Sequence, residues 1–93
     1  MEGKEGVRII FGSRFLRVYK KLPPETQKKI EVKSGLLRIN HFHPSLHAHK
    51  LHGELTGFWA FSVAHDCRII FLFLDDGNIL YESVGSHDLY DRL

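Results

Sequence analysis

The chain alternates short apolar runs with clear breaks. Residues 7–11 (Val-Arg-Ile-Ile-Phe) are β-branched and aromatic and stop at Gly12-Ser13, predicting a short strand that hands over to a helix N-capped by Ser13. From Ser13 to Leu22 the apolar residues Phe15, Leu16, Tyr19 and Leu22 fall on one stripe, opposite Arg14, Arg17, Lys20 and Lys21. Pro23-Pro24 interrupts that helix. Because proline suits a first helical turn, a second helix is predicted from there through the lysine-rich stretch to about Asn40, weakened in its middle by Gly35. Residues 41–56 contain proline, glycine and five histidines without a period and read as a loop with a brief extended piece at Lys50-Leu51. From Gly57 the period becomes two, with Trp59, Phe61 and Val63 alternating with Phe58, Ala60 and Ser62. Arg68 to Leu74 is a nearly continuous apolar run, and Asp75-Asp76-Gly77-Asn78 forms a turn that leads into a last strand, Ile79 to Val84.

These elements predict a small single α+β domain over residues 1–93, with two N-terminal helices packed on one face of a mostly antiparallel four-stranded sheet. Two helices cover only one face, so the other is expected to be partly open to a ligand. At 93 residues a second core is excluded, and 43% hydrophobic content is too high for a disordered chain. With one cysteine, Cys67, no intrachain disulfide can form, and no basic start followed by an apolar stretch is present; a cytoplasmic protein that does not enter a membrane is expected. Cys67 itself reads as a small buried residue.

Charge changes the picture more than its small total of +2 suggests. Residues 8–38 carry nine Lys/Arg against two acids, whereas residues 39–93 carry three against seven. Such segregation suits a surface facing a polyanion.

Groups suited to moving protons or holding phosphate collect at strand ends: His49 and Lys50 lead into the sheet, Asp66 and Arg68 open one strand, and His87 follows the last. A guanidinium binds phosphate with two parallel hydrogen bonds and stabilises the charge of a phosphorane-like transition state, while an imidazole exchanges a proton near neutral pH. Arg68 equally suits a surface ion pair with Asp66 or Asp88, and His87 an ordinary turn. The five histidines between His41 and His52 invite a metal. Neither a cysteine pair nor an H-E-x-x-H helix accompanies them, so no metal or other cofactor is expected.

In order along the chain stand His49-Lys50-Leu51-His52-Gly53, Gly57-Phe58-Trp59, Asp66-Cys67-Arg68-Ile69-Ile70-Phe71 and Gly85-Ser86-His87-Asp88. With the strand-helix-helix start, this combination resembles the RelE/ParE toxin superfamily of type II toxin-antitoxin modules, and within it the YafQ-type messenger-cleaving branch. The resemblance implies a RelE-like fold and a ribosome-dependent endonuclease that inhibits translation, in which the 2′-hydroxyl of the messenger attacks the adjacent phosphate without a metal. It further implies a cognate antitoxin, which the basic surface predicts to be amphipathic and acidic. Carried over by motif, His87 is a general acid or base, Arg68 the phosphate stabiliser, and His49 and Asp66 bases or proton shuttles. Lys50 and Tyr90 are substrate contacts, and Lys20, Lys21, Lys28 and Lys29 a face for RNA. Where YafQ-type enzymes place a strand histidine this chain has Ser62, with His65 nearby. Other readings are a non-catalytic ParE-like toxin that inhibits DNA gyrase, or an inactive interaction module of the same fold.

Overall fold

A computed structural model of the chain describes residues 7–85. In chain order its elements are β1 (Ile9–Phe11), α1 (Ser13–Tyr19), α2 (Pro24–Ile39), β2 (His49–Lys50), β3 (Trp59–Ala64), β4 (Cys67–Phe73) and β5 (Ile79–Gly85), with 3-10 turns at Pro44–Leu46 and Gly53–Leu55. The sheet order is β1-β5-β4-β3-β2, parallel only between β1 and β5. The α+β architecture is the expected one with one more strand. Residues 49 and 50 pair with Ala60 and Trp59, so the brief extended piece becomes an edge strand and shifts one residue towards the N-terminus.

Two local expectations change. Gly12, not Ser13, is the N-cap of α1, because its N–H donates to the Tyr81 carbonyl at 3.0 Å and holds the chain against β5. The second helix does start at Pro24, with Pro23 as its cap.

Both helices lie on one face of the sheet. Phe15 from α1 and Ile30 and Leu37 from α2 share a cluster with Phe61, Ile69, Phe71, Ile79, Tyr81 and Val84. The phenol of Tyr81 meets the Ser34 hydroxyl at 2.6 Å, which gives a buried polar group its partner and ties α2 to β5. The opposite face is less open than expected, since Leu51, Ala60 and Ile70 form a second cluster covered by Leu55 and Phe58. The segment between β2 and β3 thus closes one part of that face, and among the described residues none covers the end near Arg68.

Two irregularities set which side chains face which way. Val63 is an extra residue between the pairs Ser62–Arg68 and Ala64–Cys67, and Glu82 between Ile70–Ser83 and Phe71–Tyr81. Each is a β-bulge, which shifts the alternation of the strand that carries it. Tyr81 and Val84 therefore both reach the helix-side core, and Ser83 pairs with Ile70 on the other face.

Two glycines have opposite predicted responses to alanine. A Cβ at Gly12 would stand 2.9 Å from the Tyr81 carbonyl oxygen, whereas one at Gly35, inside α2, meets nothing within 4 Å. Gly12→Ala should cost about 1–3 kcal/mol by overpacking, and Gly35→Ala should stabilise by roughly 0.5–1 kcal/mol through helix propensity. Urea unfolding of both variants checks the two signs.

Burial pushes the Tyr81 phenol well above its ordinary value of 10, against a smaller opposing effect of the Ser34 hydrogen bond. The folded chain therefore keeps this proton when the unfolded chain gives it up, and stability falls as pH rises above 10. Tyr81→Phe should cost about 1 kcal/mol at neutral pH and flatten that alkaline loss, as followed by unfolding across pH.

Candidate active site

Register brings His49, Ser62 and Arg68 together on the part of the sheet that no other described residue covers. Ser62 and Arg68 are direct neighbours across β3 and β4 and lie on the face away from the helices, since Phe61 and Ile69 beside them belong to the helix-side core. His49 pairs with Ala60 two residues earlier on β3, which places it on the same face. The turn after β3 carries His65 past the other end of that rung. His49, Ser62, His65 and Arg68 line one groove of about 550 Å³ with Lys33, Ser45 and His47. Among the described residues no carboxylate lines it.

The electrostatics of this groove favour an anion. Arg68 Nη1 is buried with no hydrogen-bond partner among the described residues; the other such atom, Ser83 Oγ, belongs to the adjacent strand on the same face. Leaving a buried donor unsatisfied costs about 1–3 kcal/mol, and more for a charged group. A phosphate oxygen would satisfy it. Lys33, which donates to the Ser45 carbonyl at 3.3 Å, adds a second permanent positive charge to the wall.

The His49 ring is held by backbone. Its Nδ1 lies 3.0 Å from the His47 carbonyl, which can only accept, so Nδ1 carries the proton and Nε2 offers its lone pair. His47 takes a left-handed conformation, φ 51°, at the end of the Pro44–Leu46 turn, which is uncommon for a residue with a side chain. That kink lets the His47 carbonyl orient the imidazole two residues on. His41 and His43 are engaged elsewhere, His41 with the Leu37 carbonyl at 2.7 Å and His43 by accepting from the Ser45 N–H at 3.1 Å.

The other sequence candidates divide. Asp66 shares the β3–β4 turn with His65 and is exposed, but does not line the groove. Its charge acts on Cys67, whose thiol is pushed up first by burial and then by Asp66 beside it. Lys50 points to the opposite side from His49, with its ammonium 5.8 Å from the centre of the Trp59 ring. Lys20, Lys21, Lys28 and Lys29 are exposed and stand apart from the groove. His87 and Tyr90 lie outside the described residues; Gly85, which is paired with Arg68, precedes His87 by two positions. Lys33, Ser45 and His47 are groove residues that motif and spacing did not single out. The one available signal for Lys33 was its place among the helix lysines.

No protein-family model matches the sequence, and no curated protein matches it. Solved structures do. The chain is similar to the YoeB dimer from Staphylococcus aureus, with a TM-score of 0.73 and 24% identity over 87% of this chain and 97% of that one. It is similar to the toxin-antitoxin complex RelBE2 from Mycobacterium tuberculosis, with a TM-score of 0.72 and 19% identity over 88% and 99% of the two chains. YafQ from E. coli strain BL21(DE3) gives 0.71 and 21% over 90% and 97%. The two helices against a mixed five-stranded sheet are the fold that these toxin structures share.

Proposed function

We propose that this chain is the toxin of a type II toxin-antitoxin module and cleaves messenger RNA on the ribosome. The observation that carries the proposal is the Arg68 guanidinium, whose buried Nη1 has no partner among the described residues and which lies in a groove where those residues place imidazoles and no carboxylate. A phosphodiester in that groove completes the hydrogen bonding of Arg68, and the extra negative charge of the transition state binds more tightly still. The His49 Nε2 lone pair is free to take the 2′-hydroxyl proton. The oxygen then bonds to phosphorus, the bond to the 5′-oxygen breaks, and an acid returns a proton to that leaving oxygen. We assign His87 to this proton transfer, as acid or as base, and Asp66 to an outer proton-shuttle role. Lys50 and Tyr90 are assigned to substrate contact. The reaction is written without a metal or cofactor.

Structural neighbours include a complex described as toxin-antitoxin RelBE2. On the same reading, this chain has a cognate antitoxin with an acidic amphipathic segment, and it works in the cytoplasm. Among the described residues no helix is long and apolar enough to cross a membrane.

Cleavage and binding should separate. Arg68→Lys keeps the charge but loses the guanidinium fork, and His87→Gln keeps hydrogen bonding but cannot titrate. Each should slow messenger cleavage by on the order of a hundredfold while ribosome binding survives. His49→Ala should damage cleavage more than His41→Ala or His43→Ala, whose side chains do not line the groove. Mapping of messenger ends on programmed ribosomes reads all five variants and should find 2′,3′-cyclic phosphates. Full activity in both Arg68→Lys and His87→Gln, or inhibition of gyrase with the messenger intact, contradicts the assignment.

The exposed lysines make a second, separable prediction. Reversing Lys20, Lys21, Lys28 and Lys29 should weaken ribosome binding and its salt dependence together, because those charges displace counterions from RNA. Co-sedimentation with ribosomes over a salt series measures it.

A further inference from the structure

The end of α2 presents an aromatic surface that the cleavage chemistry does not use. Phe42 is 59% exposed and Ile39, the last residue of α2, 86%. This exposure is built by local hydrogen bonds. The Phe42 N–H donates to Asn40 Oδ1 at 3.0 Å, and the His43 N–H donates to the Asn40 carbonyl at 3.1 Å, so the loop is pinned on both sides of the ring. Behind Phe42 stands Trp59, with ring centres 5.5 Å apart, and Trp59 is itself backed edge-on by Phe73 at 5.3 Å.

This surface joins the groove across the edge of the sheet. His49 and Lys50 make up all of β2, and successive side chains of a strand leave on opposite faces. His49 lines the groove, while Lys50 sits at the Trp59 ring on the helix side. Trp59 precedes Ser62 by three residues on β3, roughly 10 Å at the usual strand rise, or about three nucleotides of stacked single strand. A chain whose reacting phosphate sits at Arg68 can cross β2 and arrive at Phe42.

We propose that Phe42 and Trp59, with Lys50, form a stacking platform for nucleotides flanking the cleaved phosphate in single-stranded RNA. This rests on the nuclease reading for the identity of its ligand. Phe42 offers an exposed ring to a base, and the Lys50 ammonium meets a phosphate as the strand turns over the edge. Aromatic stacking accepts any base, so the platform contributes affinity and register rather than sequence choice. A cation beside the rings, continuous with a groove lined by Arg68 and Lys33, fits a polyanion better than an apolar protein face.

Trp59 is the only tryptophan in the chain, so its emission reports on this surface directly. The full chain is titrated with a single-stranded 2′-O-methyl RNA oligonucleotide, which cannot be cleaved, while anisotropy of a labelled copy measures binding independently. Saturable quenching of Trp59 is expected. Phe42→Ala should weaken binding about tenfold, within the range measured for losing one stacked base. Phe42→Tyr should retain binding, and Phe42→Leu, apolar but without a ring, should not. Several results would overturn the platform: no oligonucleotide binding, binding without quenching, or Phe42→Leu as good as the native residue. Self-association of the chain that disappears in Phe42→Ala would assign the surface to a second copy instead. The two readings fail separately, because cleavage without quenching removes the platform alone, and quenching with an uncut messenger removes the nuclease alone.

Discussion

A guanidinium nitrogen kept from water without a partner is expensive, and among the described residues Arg68 Nη1 has none. An anion in the groove would supply one. Arg68 is fixed on a strand whose neighbours, Cys67 and Ile69, anchor in the helix-side core, so its backbone cannot turn the charge away. The groove offers no carboxylate among the described residues, and its remaining polar walls are lysine, serine and imidazole. A protein that used Arg68 merely for a surface ion pair would have had Asp66 two residues away. That carboxylate instead stays exposed in the turn.

The bulge at Val63 makes this arrangement possible. By adding a residue to β3 it directs both Val63 and Ala64 to the helix-side core while Ser62 stays beside Arg68 on the other face. The segment from Leu51 to Phe58 then covers the far part of that face by burying Leu51, Ala60 and Ile70. Among the described residues the sheet has one face closed by helices and the other closed only in part. The groove that holds His49, His65 and Arg68 lies at the end left open.

Much of this was legible in the chain. Pro23-Pro24 marked the helix start because proline is tolerated there and not later, and the Asp75–Asn78 turn separated two runs that indeed pair. The order of strands and helices along the chain followed from period together with the breaks at Gly12-Ser13, Pro23-Pro24 and Asp75–Asn78. Register did not, because the bulges at Val63 and Glu82 are set by packing across the sheet rather than by any local residue preference. The cap of α1 was misplaced for a similar reason, since the contact between Gly12 and Tyr81 joins positions far apart in sequence. Edge strand β2 has just two residues, and the chain announced it only as a brief extended piece at Lys50-Leu51, one residue off. Of the residues that line the groove, motif singled out Arg68 and His49, whereas Lys33 reaches it from α2 to the Ser45 carbonyl and His47 by a left-handed kink that no spacing rule reveals.

The most direct test of the account is to watch the Arg68 guanidinium while a phosphodiester binds. NMR of the side-chain N–H groups of arginine, recorded during titration with a non-cleavable 2′-O-methyl dinucleotide, locates the phosphate without relying on activity. The account predicts that the Arg68 Nη signals shift and sharpen as hydrogen bonds form, together with the ring signals of His49. Binding that shifts Arg14, Arg17 or other helix arginines and leaves Arg68 and His49 unmoved would contradict it.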